Sequence, residues 1–229
     1  MGFRADRCAG MSGRRPPQTT EDLIAPLRTR RWLSEARRKS LHLASLILPL
    51  WILYQPLPWP HSKRAWVALI LSLTAIALTI DVIRVNDDRT RRGFKRFFGE
   101  MIREHEAFSL LGSTYLLIAA WLALELFPQP LAAAALGFTI LGDGFAALVG
   151  KAWGRRRFFH KTLEGAAGGL IACLLWAVFL VSAGHLTWPV ALAGALVASL
   201  VELLPIPLDD NLGMTLISGY VMRQLWMGQ

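Results

Sequence analysis

The sequence predicts an all-α, polytopic integral membrane protein of about seven transmembrane helices with a cytoplasmic N-terminus, and three observations lead there. Of 229 residues, 54% are hydrophobic and only 18% charged, and the charges avoid several long runs. A soluble domain spreads roughly a quarter charged residues along its length. Seven apolar runs approach the 20 or so residues that a helix needs to cross hydrocarbon. The net charge of +9 is also segregated: of 25 Lys and Arg, 10 lie in the tail to residue 39, 7 between the second and third runs and 5 between the fourth and fifth. Basic connections of this kind stay in the cytoplasm.

Residues 1–39 read as a basic cytoplasmic arm, disordered around Arg14-Arg15-Pro16-Pro17. They are too polar, and too long before the first apolar run, for a cleaved signal peptide. Residues 21 to 38 suit an amphipathic surface helix drawn to anionic lipid headgroups, although flanking positive charge explains the same residues. Residues 40–229 form one transmembrane domain. Its spans are predicted at 41 to 58, interrupted by Pro49, then at 65 to 83, 107 to 127, 131 to 150, 165 to 183, 189 to 204 and 212 to 227. The last two are short, and the final one carries Arg223. On the outer side stand only Lys63, Arg64 and Arg223. Trp59, Trp66 and Trp188 fall at outer boundaries and Trp153 at an inner one, the placement of an aromatic belt. Gly165 and Gly169 form a small-xxx-small pair suited to close helix packing. Cys8 and Cys173 are too few and too separated for a disulfide framework or a thiolate metal site. Membrane orientation accounts for the positive charge, so no nucleic-acid partner is expected; homo-oligomerisation is left open.

Ionisable residues at the membrane are costly and mark functional sites. The densest group is Gly142-Asp143-Gly144 in the fourth span, followed by Lys151, Arg155, Arg156, Arg157 and Lys161-Thr162-Leu163-Glu164-Gly165. Glycine on either side of Asp143 permits close backbone approach or a break in the helix. A carboxylate there wants a cation, either a metal or a neighbouring Arg. The basic cluster suits a polyphosphate, while topology alone explains Arg155 to Arg157. Thr162 is placed to cap a helix whose start favours an anion, and Glu164 complements its dipole.

Asp209-Asp210-Asn211 supplies hard oxygen ligands for Mg²⁺ shared with phosphates, or else a helix cap and turn. Glu202 lies near the same boundary and joins that carboxylate group. Arg38, Lys39 and His42 share a helix face, as a phosphate donor set. Asp81 with Arg84, and Arg103 with Glu106, read first as interfacial ion pairs. All these groups lie on the side that the charge count assigns to the cytoplasm.

A P-loop fails here, because the string from Gly144 to Gly150-Lys151-Ala152 has the wrong spacing and ends in Ala. Asp143-Gly144-Phe145-Ala146-Ala147 matches only the opening of a CDP-alcohol phosphotransferase pattern. The residues resemble instead the CTP-dependent lipid-alcohol kinases, namely the dolichol, polyprenol, phytol and yeast-type diacylglycerol kinases, relatives of the phosphatidate cytidylyltransferases. The resemblance rests on G-D-x-x-A-x-x-x-G-x-x-x-G at Gly142, Asp143, Ala146, Gly150 and Gly154, then K-T-x-E-G at Lys161, Thr162, Glu164 and Gly165. Arg38-Lys39-x-x-His42, the segment beginning at Glu202, and Asp209-Asp210-Asn211 flank it. The cytidylyltransferases' C-terminal P-G-H-G-G-x-x-D-R-x-D signature has no counterpart in Leu212 to Gln229.

The resemblance implies transfer of the γ-phosphoryl of Mg²⁺-CTP to the hydroxyl of a membrane lipid alcohol, giving a lipid monophosphate and CDP. Asp143, Asp209 and Asp210 are then expected at the metal, with Asp143, Lys161 and Asp210 catalytic. Arg38, Lys39, His42, Lys151, Lys161, Thr162, Glu164 and Gly165 are expected around the nucleotide, with Asn211, Glu202, Glu106 and Asp81 as further members. A cytidylyltransferase making a CDP-lipid ranks second, and a transporter or lipid-binding protein third, since a transporter needs polar groups near mid-bilayer and on both sides.

Overall fold

The computed structural model describes residues 37–56, 60, 62–98 and 109–228. The basic arm up to residue 36, Trp59, and the Arg103 and Glu106 pair lie outside the described residues. The helices are α1 (37–44), α2 (Ile47–Tyr54), α3 (Lys63–Asn86), α4 (Asp88–Phe98), α5 (Gly112–Leu126), α6 (Gln129–Trp153), α7 (Leu163–Ser182), α8 (Trp188–Leu203) and α9 (Asp210–Met227). Between α6 and α7 runs a small antiparallel hairpin, β1 (Arg157–Phe158) and β2 (Lys161–Thr162), in which Arg157 faces Thr162 and Phe158 faces Lys161. The chain is an all-α membrane protein: α3, α6 and α7 are each long and apolar enough to cross a bilayer, with α5 and α8 as shorter apolar helices.

The first predicted span differs from expectation in where it breaks. The interruption lies at residues 45–46, not at Pro49, which sits inside α2. Proline lacks an N–H, and its ring crowds the carbonyl four residues back, which here belongs to Ser45. That carbonyl accepts the Leu48 N–H instead, at 2.9 Å, while the Ser45 hydroxyl turns back onto the His42 carbonyl.

α6 is the central helix and packs against α2, α5, α7, α8 and α9. Its small residues make that possible, since helices in lipid associate through close van der Waals packing rather than hydrophobic transfer. The Trp176 indole lies over Gly137, which has no side chain to oppose it, and donates to the Ala134 carbonyl at 3.2 Å. A Cβ on Gly169 would come within 2.8 Å of the Gly142 carbonyl oxygen, so the predicted small-residue contact is an α7 to α6 contact. Thr139 and Thr215 hydroxyls join α6 to α9 at 2.8 Å.

Trp66 departs from the aromatic-belt expectation. It is fully buried and packs edge-to-face on Trp51, with ring centroids 5.6 Å apart. Trp153 and Trp188 are exposed, as a belt requires. Two of the cations expected on the outer side have a local task. Lys63 donates to the Glu125 carbonyl and Arg223 to the Leu126 carbonyl, each at 3.1 Å. These are carbonyls in the last turn of α5, where helices leave acceptors unpaired and favour positive charge.

Asp81 and Arg84 do form the expected ion pair, at 3.0 Å, but both are buried. Leu111 at the start of α5 has no side-chain oxygen with which to cap that helix. Asp81 supplies one from α3, accepting from the Leu111 N–H at 2.9 Å and the Thr114 hydroxyl at 2.7 Å, while Arg84 donates to the Ser109 carbonyl at 2.7 Å.

Two glycines make the packing argument testable by thermal unfolding of the detergent-solubilised protein. Gly169→Val forces α7 away from α6 and lowers stability by about 1–3 kcal/mol. Gly93→Ala meets nothing within 4 Å and raises it by up to about 1 kcal/mol through helix propensity.

Candidate functional site

Asp143 is positioned by the glycines that flank it. α6 runs unbroken from Gln129 to Trp153, so Gly142 and Gly144 provide close approach and not a kink. A Cβ on Gly144 would meet Leu43 of α1 at 2.6 Å, and one on Gly142 would meet Met214 of α9 at 2.8 Å and Cys173 of α7 at 2.9 Å. Three elements therefore crowd around this turn. From α1, Lys39 pairs with the Asp143 carboxylate and also donates to the Asp143 carbonyl at 3.3 Å. The His42 Nε2 lies 3.5 Å from the same carboxylate. Lys39 is 2% exposed. Two residues expected to face phosphate thus lie against a half-buried carboxylate, and Lys39 supplies the compensating charge.

The K-T-x-E-G segment assembles a second ion-pair group. Lys161, on β2, donates to both Asp210 oxygens at 3.2 Å and to the Glu202 carbonyl, with the Glu202 Oε1 at 3.3 Å. One ammonium thereby ties the hairpin to the end of α8 and the start of α9. Thr162, extended at φ −125°, caps α7 by accepting from the Gly165 N–H at 3.1 Å. The expected cap is present. Gly150 and Gly154 make room for it, since a Cβ on Gly150 would lie 2.7 Å from the Thr162 hydroxyl. Glu164 faces away from the cavities and accepts the Arg155 N–H at 3.0 Å and the Arg156 N–H at 3.1 and 3.2 Å, fixing the loop after α6.

Asp209 caps α9, accepting the Asn211 backbone N–H at 2.9 Å and its side-chain N–H at 3.0 Å. Burial pushes the Asp209 carboxyl above the ordinary carboxylate range, against those two bonds. The Asn211 amide also donates to the Gly112 carbonyl at 3.3 Å, which ties α9 to α5. Its Oδ1 is buried with no hydrogen-bond partner among the described residues.

Two cavities flank these ion pairs and share Asp143 and Asp210 as common walls. The smaller, about 230 Å³, also has Arg38, Lys39, Ser109, Tyr115, Asp209 and Asn211 in its lining. The larger, about 410 Å³, adds Gly150, Lys151, His160, Lys161, Thr162 and Glu202. Of the expected residues, His42, Asp81, Glu164 and Arg155 to Arg157 line neither cavity, His42 because it lies against the Asp143 carboxylate from α1, and Glu106 lies outside the described residues. Ser109, Tyr115 and His160 line the cavities without having been singled out. His160 adjoins Lys161 in the basic loop and was within reach of sequence reasoning. Tyr115 sits in an apolar run and gives no local signal.

The residues fit a hard divalent cation of the Mg²⁺ type. Among the described residues no three His, Cys, Asp or Glu side chains converge into a cage. Such a cage is not required, since Mg²⁺ takes one or two carboxylates and completes its octahedron with water and substrate phosphates. Asp143, Asp210 and the unpartnered Asn211 oxygen are donors of that kind.

Residues 28–204 match the cytidylyltransferase family. The chain belongs to that family. It is 31% identical over 143 residues to an uncharacterized protein of Rickettsia prowazekii, covering 61% of this chain and 67% of that one. It is 27% identical over 162 residues to CTP-dependent diacylglycerol kinase 1 of Schizosaccharomyces pombe, covering 64% of this chain and 74% of the relative. The resemblance to CTP-dependent lipid kinases read from Asp143 to Gly165 therefore holds at the level of family. The family match includes Arg38, Asp143, Lys161 and Glu202 and ends before Asp209. No solved structure matches the chain.

Removing one partner of a buried ion pair leaves an uncompensated charge, at a cost of about 3–5 kcal/mol. Lys39→Met and Asp143→Leu are each expected to destabilise the solubilised protein on that scale. The double variant is expected to unfold closer to the parent than either single one, as thermal melts will read.

Proposed function

We propose that this membrane protein is a CTP-dependent lipid kinase. It transfers the γ-phosphoryl of CTP to the hydroxyl of a lipid alcohol of the polyprenol, dolichol, phytol or diacylglycerol type, releasing CDP. The observation that carries a polyphosphate reaction on a membrane lipid is the pair of cavities walled by Asp143 and Asp210, each with lysine against carboxylate, at one end of the helices that cross the membrane. The relative named as a CTP-dependent diacylglycerol kinase supports the choice of donor and acceptor class. Alternating basic connections put this end in the cytoplasm, where the nucleotide is.

Phosphoryl transfer needs mainly positioning and neutralisation of charge. Lys161, Lys151 and Arg38 hold the polyphosphate, and Lys39 leaves Asp143 for a phosphate oxygen when the nucleotide arrives. Asp143 and Asp210 would hold Mg²⁺, with Asp209 beside them as the α9 cap, and the ion when bound would draw charge from the phosphate oxygens. The attacking hydroxyl gives up its proton to one of the carboxylates at the shared wall. Thr162, Gly165 and Glu164 keep the start of α7 and the hairpin in shape around the nucleotide.

The family also contains cytidylyltransferases, and its description favours a second reading in which the lipid attacks the α-phosphorus and pyrophosphate leaves. CTP labelled separately at the α and γ positions decides between them, with Mg²⁺ and a panel of polyprenol, phytol, geranylgeraniol, diacylglycerol and phosphatidic acid. Only γ label is expected in the lipid. Label from the α position would establish the cytidylyltransferase, and no transfer to any acceptor would return a transporter or lipid-binding role to the front. Asp143→Asn is expected to abolish transfer while the protein still inserts, and chelation of Mg²⁺ to do the same in the parent.

A further inference from the structure

The hairpin between α6 and α7 carries more chemistry than the cavities use. Residues 151–160 are exposed without interruption. Within them stand Trp153 at 69% exposure, Phe158 at 38% and Phe159 at 64%, flanking the block Arg155, Arg156 and Arg157. Among the described residues none of these three guanidinium groups forms an ion pair. The loop is nonetheless built. Glu164 clips the Arg155 and Arg156 N–H groups, and the Leu163 N–H donates to the Arg156 carbonyl at 3.0 Å. Phe159 holds φ at +52°, a left-handed conformation that bulky residues rarely adopt. Its ring sets edge-on to Phe158, with centroids 4.8 Å apart.

Position selects the partner. The hairpin joins two helices that are each long and apolar enough to cross a bilayer, so it lies where hydrocarbon gives way to headgroups. Aromatic rings favour that depth, and guanidinium forks match phosphate oxygens. A soluble acidic protein would meet the same arginines but would leave the aromatic side chains without an apolar phase.

We infer that the 153–160 hairpin is an anionic-phospholipid binding element, with Trp153, Phe158 and Phe159 in the interface and Arg155, Arg156 and Arg157 on lipid phosphates. Because His160, Lys161 and Thr162 line the larger cavity, the same contact holds that cavity's mouth against the headgroup layer. This rests on the membrane reading and not on phosphoryl transfer.

The test uses the full chain in lipid nanodiscs, with Cys8→Ser and Phe159→Cys carrying an environment-sensitive fluorophore; Cys173 is buried and stays unlabelled. Emission is expected to shift to the blue as phosphatidylglycerol replaces phosphatidylcholine. Each single Arg→Gln change at 155, 156 or 157 is expected to raise the half-effective phosphatidylglycerol fraction by up to about fivefold. The triple change is expected to abolish the shift without altering the thermal melt. Emission indifferent to lipid charge would overturn the inference, as would a shift that the triple variant retains. A negative result in the labelled-CTP assay leaves this readout untouched.

Discussion

Everything near the cavities depends on pairing carboxylates with cations at the ends of membrane helices. A carboxylate taken out of water is held only if a cation and hydrogen bonds replace the lost solvation. Lys39 does this for Asp143 and Lys161 for the buried Glu202, and Lys161 also pairs with the more exposed Asp210. Each pairing is also a tether. Lys39 fixes α1 to α6, and Lys161 fixes the hairpin to α8 and α9, so the requirement for neutrality decides how separate elements meet. Under the proposed function, a triphosphate with its cation would replace one set of charges by another without leaving a bare carboxylate.

The glycines serve that arrangement through what they leave out. In G-D-x-x-A-x-x-x-G-x-x-x-G the reading from sequence admits either a broken helix or close packing, and α6 is continuous. Gly142 and Gly144 admit α7, α9 and α1 to the Asp143 turn, and Gly150 and Gly154 admit the Thr162 side chain. The motif therefore encodes distance rather than flexibility. Pro49 has the complementary effect. By ending regular helix at Ser45 it separates α1 from α2 and lets Lys39 and His42 reach Asp143.

Kinase and cytidylyltransferase chemistry within one family ask nearly the same of a protein: a bound polyphosphate, a hard cation and a lipid nucleophile. They differ in which phosphorus the nucleophile reaches. Two cavities meeting at a common carboxylate wall suit either outcome in principle, and the choice lies in how nucleotide and lipid divide that space.

The sequence by itself determined the fold class, the approximate helix positions and the family resemblance. Hydrophobic runs, basic connections and the Asp143 to Gly165 motif are local, and local patterns are what burial in lipid imposes on a chain. It also named the Thr162 cap and the Asp81 and Arg84 pair, because caps and pairs three residues apart need only local geometry. Tertiary structure alone decided the rest. Which cation neutralises which carboxylate links residues 104 apart for Lys39 and Asp143 and 49 apart for Lys161 and Asp210. That Trp66 lies in the core, that Asp81 caps a helix other than its own, and that Tyr115 faces a cavity follow from packing among distant elements. No spacing in the chain records a partner that arrives from another helix.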